Sequence, residues 1–71
     1  MITATILYNN EQEVGFGESD TSNKYAIEEA FSTMPDIFLE DTDNLTIRIN
    51  HKGVVFNCHF ASLYNMEREY F

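Results

Sequence analysis

The chain has 71 residues, 44% of them hydrophobic and 14% aromatic, and its twelve Asp/Glu against four Lys/Arg give a formal charge of -8. At this length roughly 60% of the unfolded surface can be buried, so a large enzyme with a separate cofactor domain is excluded. The aromatic content argues equally against a disordered acidic tail, which lacks the apolar surface to fold.

Ile2, Ala4, Ile6 and Tyr8 alternate with Thr3, Thr5 and Leu7, the period of a half-buried strand. Val14 and Phe16 continue that alternation after Asn9 and Asn10. A two-residue turn would set Ile6 against Glu13, on the core face. A three-residue loop over Asn9, Asn10 and Glu11 instead pairs Tyr8 with Gln12, Ile6 with Val14 and Ala4 with Phe16.

The polar run from Gly17 to Asn23 supplies helix-capping side chains in Asp20, Thr21, Ser22 and Asn23. Ile27, Ala30, Phe31 and Met34 then fall at helical spacing, and Pro35 ends the helix. Ile37, Phe38 and Leu39 form a short apolar run between Asp36 and Glu40, Asp41 and Asp43, compatible with a strand or a helical turn.

A second hairpin is expected from Leu45, Ile47 and Ile49 and from Val54, Phe56 and Cys58, with Asn50, His51, Lys52 and Gly53 as a four-residue loop. That loop pairs Ile49 with Val54, Ile47 with Phe56 and Leu45 with Cys58. Leu63, Met66 and Tyr70 predict a C-terminal helix over residues 60–71. The expected order is ββαββα: one α+β domain over residues 1–71, a four-stranded antiparallel sheet with two helices packed on one face.

Motifs for chemistry are missing. Cys58 and His59 are strand neighbours that face opposite ways, and His51 lies at the hairpin tip, so no thiolate has a base; both histidines are expected at the surface. A calcium loop opening at Asp41, Thr42, Asp43 and Asn44 would place Leu45, Thr46 and Lys52 where an oxygen ligand, a glycine and a glutamate are required. One cysteine and two histidines fall short of a structural zinc site. Gly15 and Gly17 lack the remainder of a phosphate-binding motif, and nearby acids would repel phosphate, which leaves a strand end or a bulge as their role. Glu28 and Glu29 diverge by about 100° on a helix and do not converge on one substrate atom. The expectation is a protein without catalytic activity, metal or cofactor.

What stands out is the acidic stretch. Residues 9–43 hold Glu11, Glu13, Glu18, Asp20, Glu28, Glu29, Asp36, Glu40, Asp41 and Asp43 against Lys24 alone. Such a field disfavours direct binding to nucleic acid or an anionic membrane and favours a basic partner. The expected function is an acidic inhibitor that binds a basic nucleic-acid-binding protein or nucleoprotein complex by imitating DNA or RNA charge. Small acidic phage proteins directed against restriction enzymes and CRISPR effectors are the functional analogy, with no shared motif. The ten carboxylates would make the contact, and Phe38 would be the apolar anchor.

The alternative is a non-catalytic interaction or homo-oligomerisation module. Leu7, Val55, Phe60, Tyr64 and Phe71 exceed what one small core holds, so a homodimer fits either reading. A single cysteine, no basic-then-apolar leader and no long apolar run lead to an expectation of a cytoplasmic protein.

Overall fold

The computed structural model describes residues 1–59; the C-terminal helix expected over 60–71 lies outside them. Strands β1 (Ile2–Tyr8), β2 (Gln12–Ser19), β3 (Leu45–His51) and β4 (Val54–His59) form one antiparallel sheet in the order β2-β1-β3-β4. Helix α1 (Asn23–Thr33) and a 3-10 segment, η1 (Asp36–Asn44), connect the two hairpins. The fold is the four-stranded α+β arrangement predicted from the sequence.

The first hairpin turns through Asn9 and Asn10, both left-handed at φ 54° and 60°, a conformation asparagine tolerates better than most residues. Tyr8 pairs with Gln12, as the three-residue loop requires. The register then shifts at a bulge, so that Leu7 faces Glu13 but Ile6 faces Gly15, Thr5 faces Phe16 and Ala4 faces Gly17. The expected pairs Ile6–Val14 and Ala4–Phe16 are thereby corrected, and Phe16 stands exposed on the face away from the helix. Glycines now occupy the helix side. A Cβ at Gly15 would lie 2.7 Å from the carbonyl oxygen of Ala30. The bulge therefore exchanges a large side chain for direct backbone-to-backbone packing of α1 on β2.

Helix α1 starts at Ser22, whose hydroxyl accepts from the N–H of Tyr25, and ends ahead of Pro35. Its buried residues, Ala26, Ile27 and Ala30, meet Ile2, Ala4, Ile6, Leu45, Ile47 and Ile49 from the sheet in the core. Ala26 joins the stripe read from Ile27, Ala30, Phe31 and Met34; Phe31 is only half-buried.

The second hairpin also departs from its expected register. His51 pairs with Val54, Ile49 with Phe56 and Ile47 with Cys58, closing a two-residue turn in which Lys52 and Gly53 are both left-handed (φ 55° and 88°). This is the type I′ geometry that suits strand twist. The slide is by two residues, so each side chain keeps its expected face although its partner changes.

Candidate functional site

Eight of the ten carboxylates expected to contact a partner are exposed, and Glu28 and Asp41 are half-exposed. They fall into separate groups. The largest follows β2, an edge strand. Glu13, Phe16 and Glu18 pair with Leu7, Thr5 and Thr3, and so share the sheet face opposite the core. Glu11 and Asp20 stand immediately beyond the two ends of the strand. Glu29 reaches the same edge from α1: with Glu13, Val14, Gly15, Phe16 and Thr33 it lines an open depression of about 470 Å³. Glu18 and Asp20 line a second depression with Met1 and Ser19.

Thr33 organises the middle of this edge. Its hydroxyl donates to the Phe16 carbonyl at 3.0 Å, and accepts from the Phe16 N–H at 2.9 Å. The helix end thus occupies the backbone groups that an edge strand would otherwise offer to another chain. Nothing in the polarity pattern marks Thr33 for this role, whereas the glycines on both sides of Phe16 were a signal that the alternation is interrupted there.

A second group, Asp36, Glu40, Asp41 and Asp43, belongs to η1, where Asp41 adopts a non-helical conformation at φ -137° and ψ 51°. Asp41 is engaged internally. The Tyr8 hydroxyl donates to its Oδ2 at 2.7 Å, and the Asn44 side-chain amide donates to its Oδ1 at 2.8 Å. Those hydrogen bonds, Tyr8's foremost, hold the Asp41 carboxyl below the ordinary carboxylate range, with burial opposing them weakly. The same bond, reinforced by the charge of Asp41, raises the Tyr8 hydroxyl above its usual range. Asn9 donates its backbone N–H to the Asn44 carbonyl at 2.9 Å and completes the clasp between the first hairpin and η1.

Phe38, expected as the apolar anchor, is half-buried. Its ring packs against Tyr8, with centroids 5.3 Å apart and planes tilted by 55°, and both rings border the core. In η1, turning Phe38 inward leaves its neighbours Ile37 (70% exposed) and Leu39 outside. Glu28 lies on α1 away from the β2 depressions.

Cys58 is a half-buried free thiol packed against the core, paired with Ile47 instead of the expected Leu45. His51 is not a simple surface residue: its Nδ1 lies 3.0 Å from Asn23 Oδ1 at the start of α1. His59 Nε2 lies 3.3 Å from the Asp43 carbonyl oxygen. Among the described residues no group of three or more His, Cys, Asp or Glu side chains could hold a metal ion, and no helix is long and apolar enough to cross a membrane. No protein family, curated protein or solved structure matches the chain.

Proposed function

We propose that the protein is a non-catalytic, acidic binding protein that occupies the nucleic-acid groove of a basic partner. The observation that carries this reading is the row of Glu11, Glu13, Glu18, Asp20 and Glu29 along one edge of the sheet. The eight residues of β2 span about 26 Å at about 3.3 Å per residue. Five carboxylates over roughly 30 Å amount to about half the charge density of one DNA strand, which carries a phosphate every 3.4 Å or so. That density matches a groove whose Lys and Arg contact alternate phosphates. A rigid strand holds the charges in place before binding, so little side-chain and backbone ordering is charged against affinity.

The exposed Phe16 lies between Glu13 and Glu18 on the same face and takes over the anchoring role first assigned to Phe38. An aromatic ring among carboxylates suits an arginine side chain, which can pair with the acids and stack on the ring. The acids of η1, with exposed Ile37, form a secondary contact. The proposed partner class, a nucleic-acid-binding protein or nucleoprotein complex, implies action in the cytoplasm, and a phage-type counter-defence protein is the functional analogue.

The test is capture of partners from cell lysate at low and high salt, followed by displacement with duplex DNA or RNA. The wild-type chain is expected to retain basic nucleic-acid-binding proteins at low salt and to release them as salt or nucleic acid is added. The variant E11Q/E13Q/E18Q/D20N/E29Q should lose capture, while D36N/E40Q/D43N should only weaken it. An acidic partner, or capture that survives both molar salt and the five neutralisations, overturns the proposal.

A further inference from the structure

The open depression of about 470 Å³ between β2 and α1 combines an aromatic wall, two carboxylates and no free side-chain donor. Phe16 supplies the wall. It is 47% exposed, and its backbone is held at both polar groups by the Thr33 hydroxyl, so the ring stands on a fixed stretch of strand.

The carboxylates come from two different elements, Glu13 from β2 and Glu29 from α1. Glu29 reaches the strand because helix and sheet nearly touch at Gly17, where a Cβ would lie 2.8 Å from the Glu29 Cβ. Both glutamates are exposed, and neither side chain makes a hydrogen bond or ion pair among the described residues. Thr33 is the one lining side chain with a hydrogen to donate, and the carbonyls of Phe16 and Ala30 already share that hydrogen. The lining side chains therefore present acceptors and a ring face, and nothing that donates.

An occupant that fits must be cationic, must donate in more than one direction and must carry a flat face. A phosphate or a carboxylate is repelled. A lysine ammonium matches the charge but is a compact, strongly hydrated point with no plane to lay on a ring. A guanidinium holds five donors in one plane, so its rim can serve both glutamates while its face rests on Phe16.

We propose that this depression is a subsite for one arginine side chain of the partner and that it discriminates arginine from lysine. The inference rests on the reading of the β2 edge as the contact surface and narrows it: the partner's groove meets nucleic acid through arginine at this point. Glu11, Glu18 and Asp20 supply attraction that accepts either cation.

The test is titration of the isotope-labelled full chain with hexa-arginine and with hexa-lysine at equal ionic strength, followed by NMR at the amides of Gly15, Phe16, Gly17 and Thr33. Both peptides are expected to shift these amides, with hexa-arginine binding about two- to fivefold tighter, the scale of a cation on an exposed ring. Phe16→Leu should bring the two affinities together while leaving that of hexa-lysine as it was, and Phe16→Trp should keep or widen the gap. Glu29→Gln should weaken hexa-arginine more than hexa-lysine, whereas D36N/E40Q/D43N should leave their ratio unchanged. Both altered side chains are exposed, and circular dichroism checks that each variant keeps the fold. Equal binding of the two peptides by wild type, or a preference that survives Phe16→Leu, overturns the arginine subsite and leaves the acidic row standing as an edge that accepts any cation. Absence of shifts at these amides with either peptide overturns both readings.

Discussion

Gly17 passes so close under Ala26 that a Cβ built on it would lie 2.2 Å from the Ala26 carbonyl oxygen and 2.4 Å from the Ala30 nitrogen. Both obstacles are backbone, so neither can rotate away. Gly17→Ala must push α1 off the sheet, at a cost of about 3 kcal/mol or more. A domain of this size has about 4–10 kcal/mol of stability in total. Urea denaturation of Gly17→Ala should therefore show a much lower midpoint, or a chain partly unfolded in buffer. Gly15→Ala should follow the same course less severely.

The β3–β4 turn offers the opposite outcome. Lys52 is held at φ 55°, where a side chain with a Cβ is strained, while no atom lies within 4 Å of a Cβ on Gly53. Lys52→Asn creates the Asn-Gly pair favoured in this turn and should stabilise the protein by about 0.5 kcal/mol. Gly53→Ala should destabilise by about 1 kcal/mol through its φ of 88° alone. Thermal melts of the two variants should shift in opposite directions.

Acid and alkali should each loosen the clasp between Tyr8 and Asp41. The Asp41 carboxyl is held below its ordinary value of 3.8, so its contribution is complete above that value and is lost as pH falls through the lower, folded-state pKa. The Tyr8 hydroxyl is raised above 10.0, so its contribution is complete below that value and is lost as pH rises through the higher, folded-state pKa. Both groups are solvent-accessible, and the effect is correspondingly small. In melts recorded against pH, Tyr8→Phe should keep the packing on Phe38 while flattening both limbs. A Tyr8→Phe profile parallel to wild type would contradict this assignment.

Thr33→Val removes the hydroxyl and with it every bond that it makes, to Phe16 and, through the same shared hydrogen, to the Ala30 carbonyl of its own helix. Loss of the bonds to Phe16 is expected to cost about 1 kcal/mol and to free the backbone in the middle of β2. The Phe16 amide should exchange faster in the variant than in wild type, while the amides of β3 remain as protected as before.

The architecture was readable because each long element repeats its own period: Ile2, Ala4 and Ile6 in twos, Ile27, Ala30 and Met34 in threes and fours. The bulge was not. Glycine carries no hydrophobic signal, so Val14 and Phe16 seemed to continue one inward alternation, whereas Val14 stays in the core, Gly15 and Gly17 face it after the bulge, and Phe16 turns outward. The second hairpin was misregistered for a related reason: a left-handed Lys52 goes against residue preference and is imposed by strand pairing. At the candidate site, exposure of the acids followed from charge, but their division between the β2 edge and η1 depends on the chain's route through space. Asp41 differs from its neighbours chiefly because Tyr8, far away in sequence, comes to rest beside it, with Asn44 holding the other carboxylate oxygen.

The strand order β2-β1-β3-β4 places each locally connected hairpin on one side of the sheet and leaves the central pairing of β1 with β3 to residues from distant parts of the chain, such as Ile6 and Ile47. Forming that seam closes the longest loop in the sheet, an entropic cost that falls before most of the core is assembled. The central seam should therefore set the pace of self-assembly: truncating Ile6 or Ile47 slows refolding, whereas loosening the Lys52–Gly53 turn chiefly accelerates unfolding.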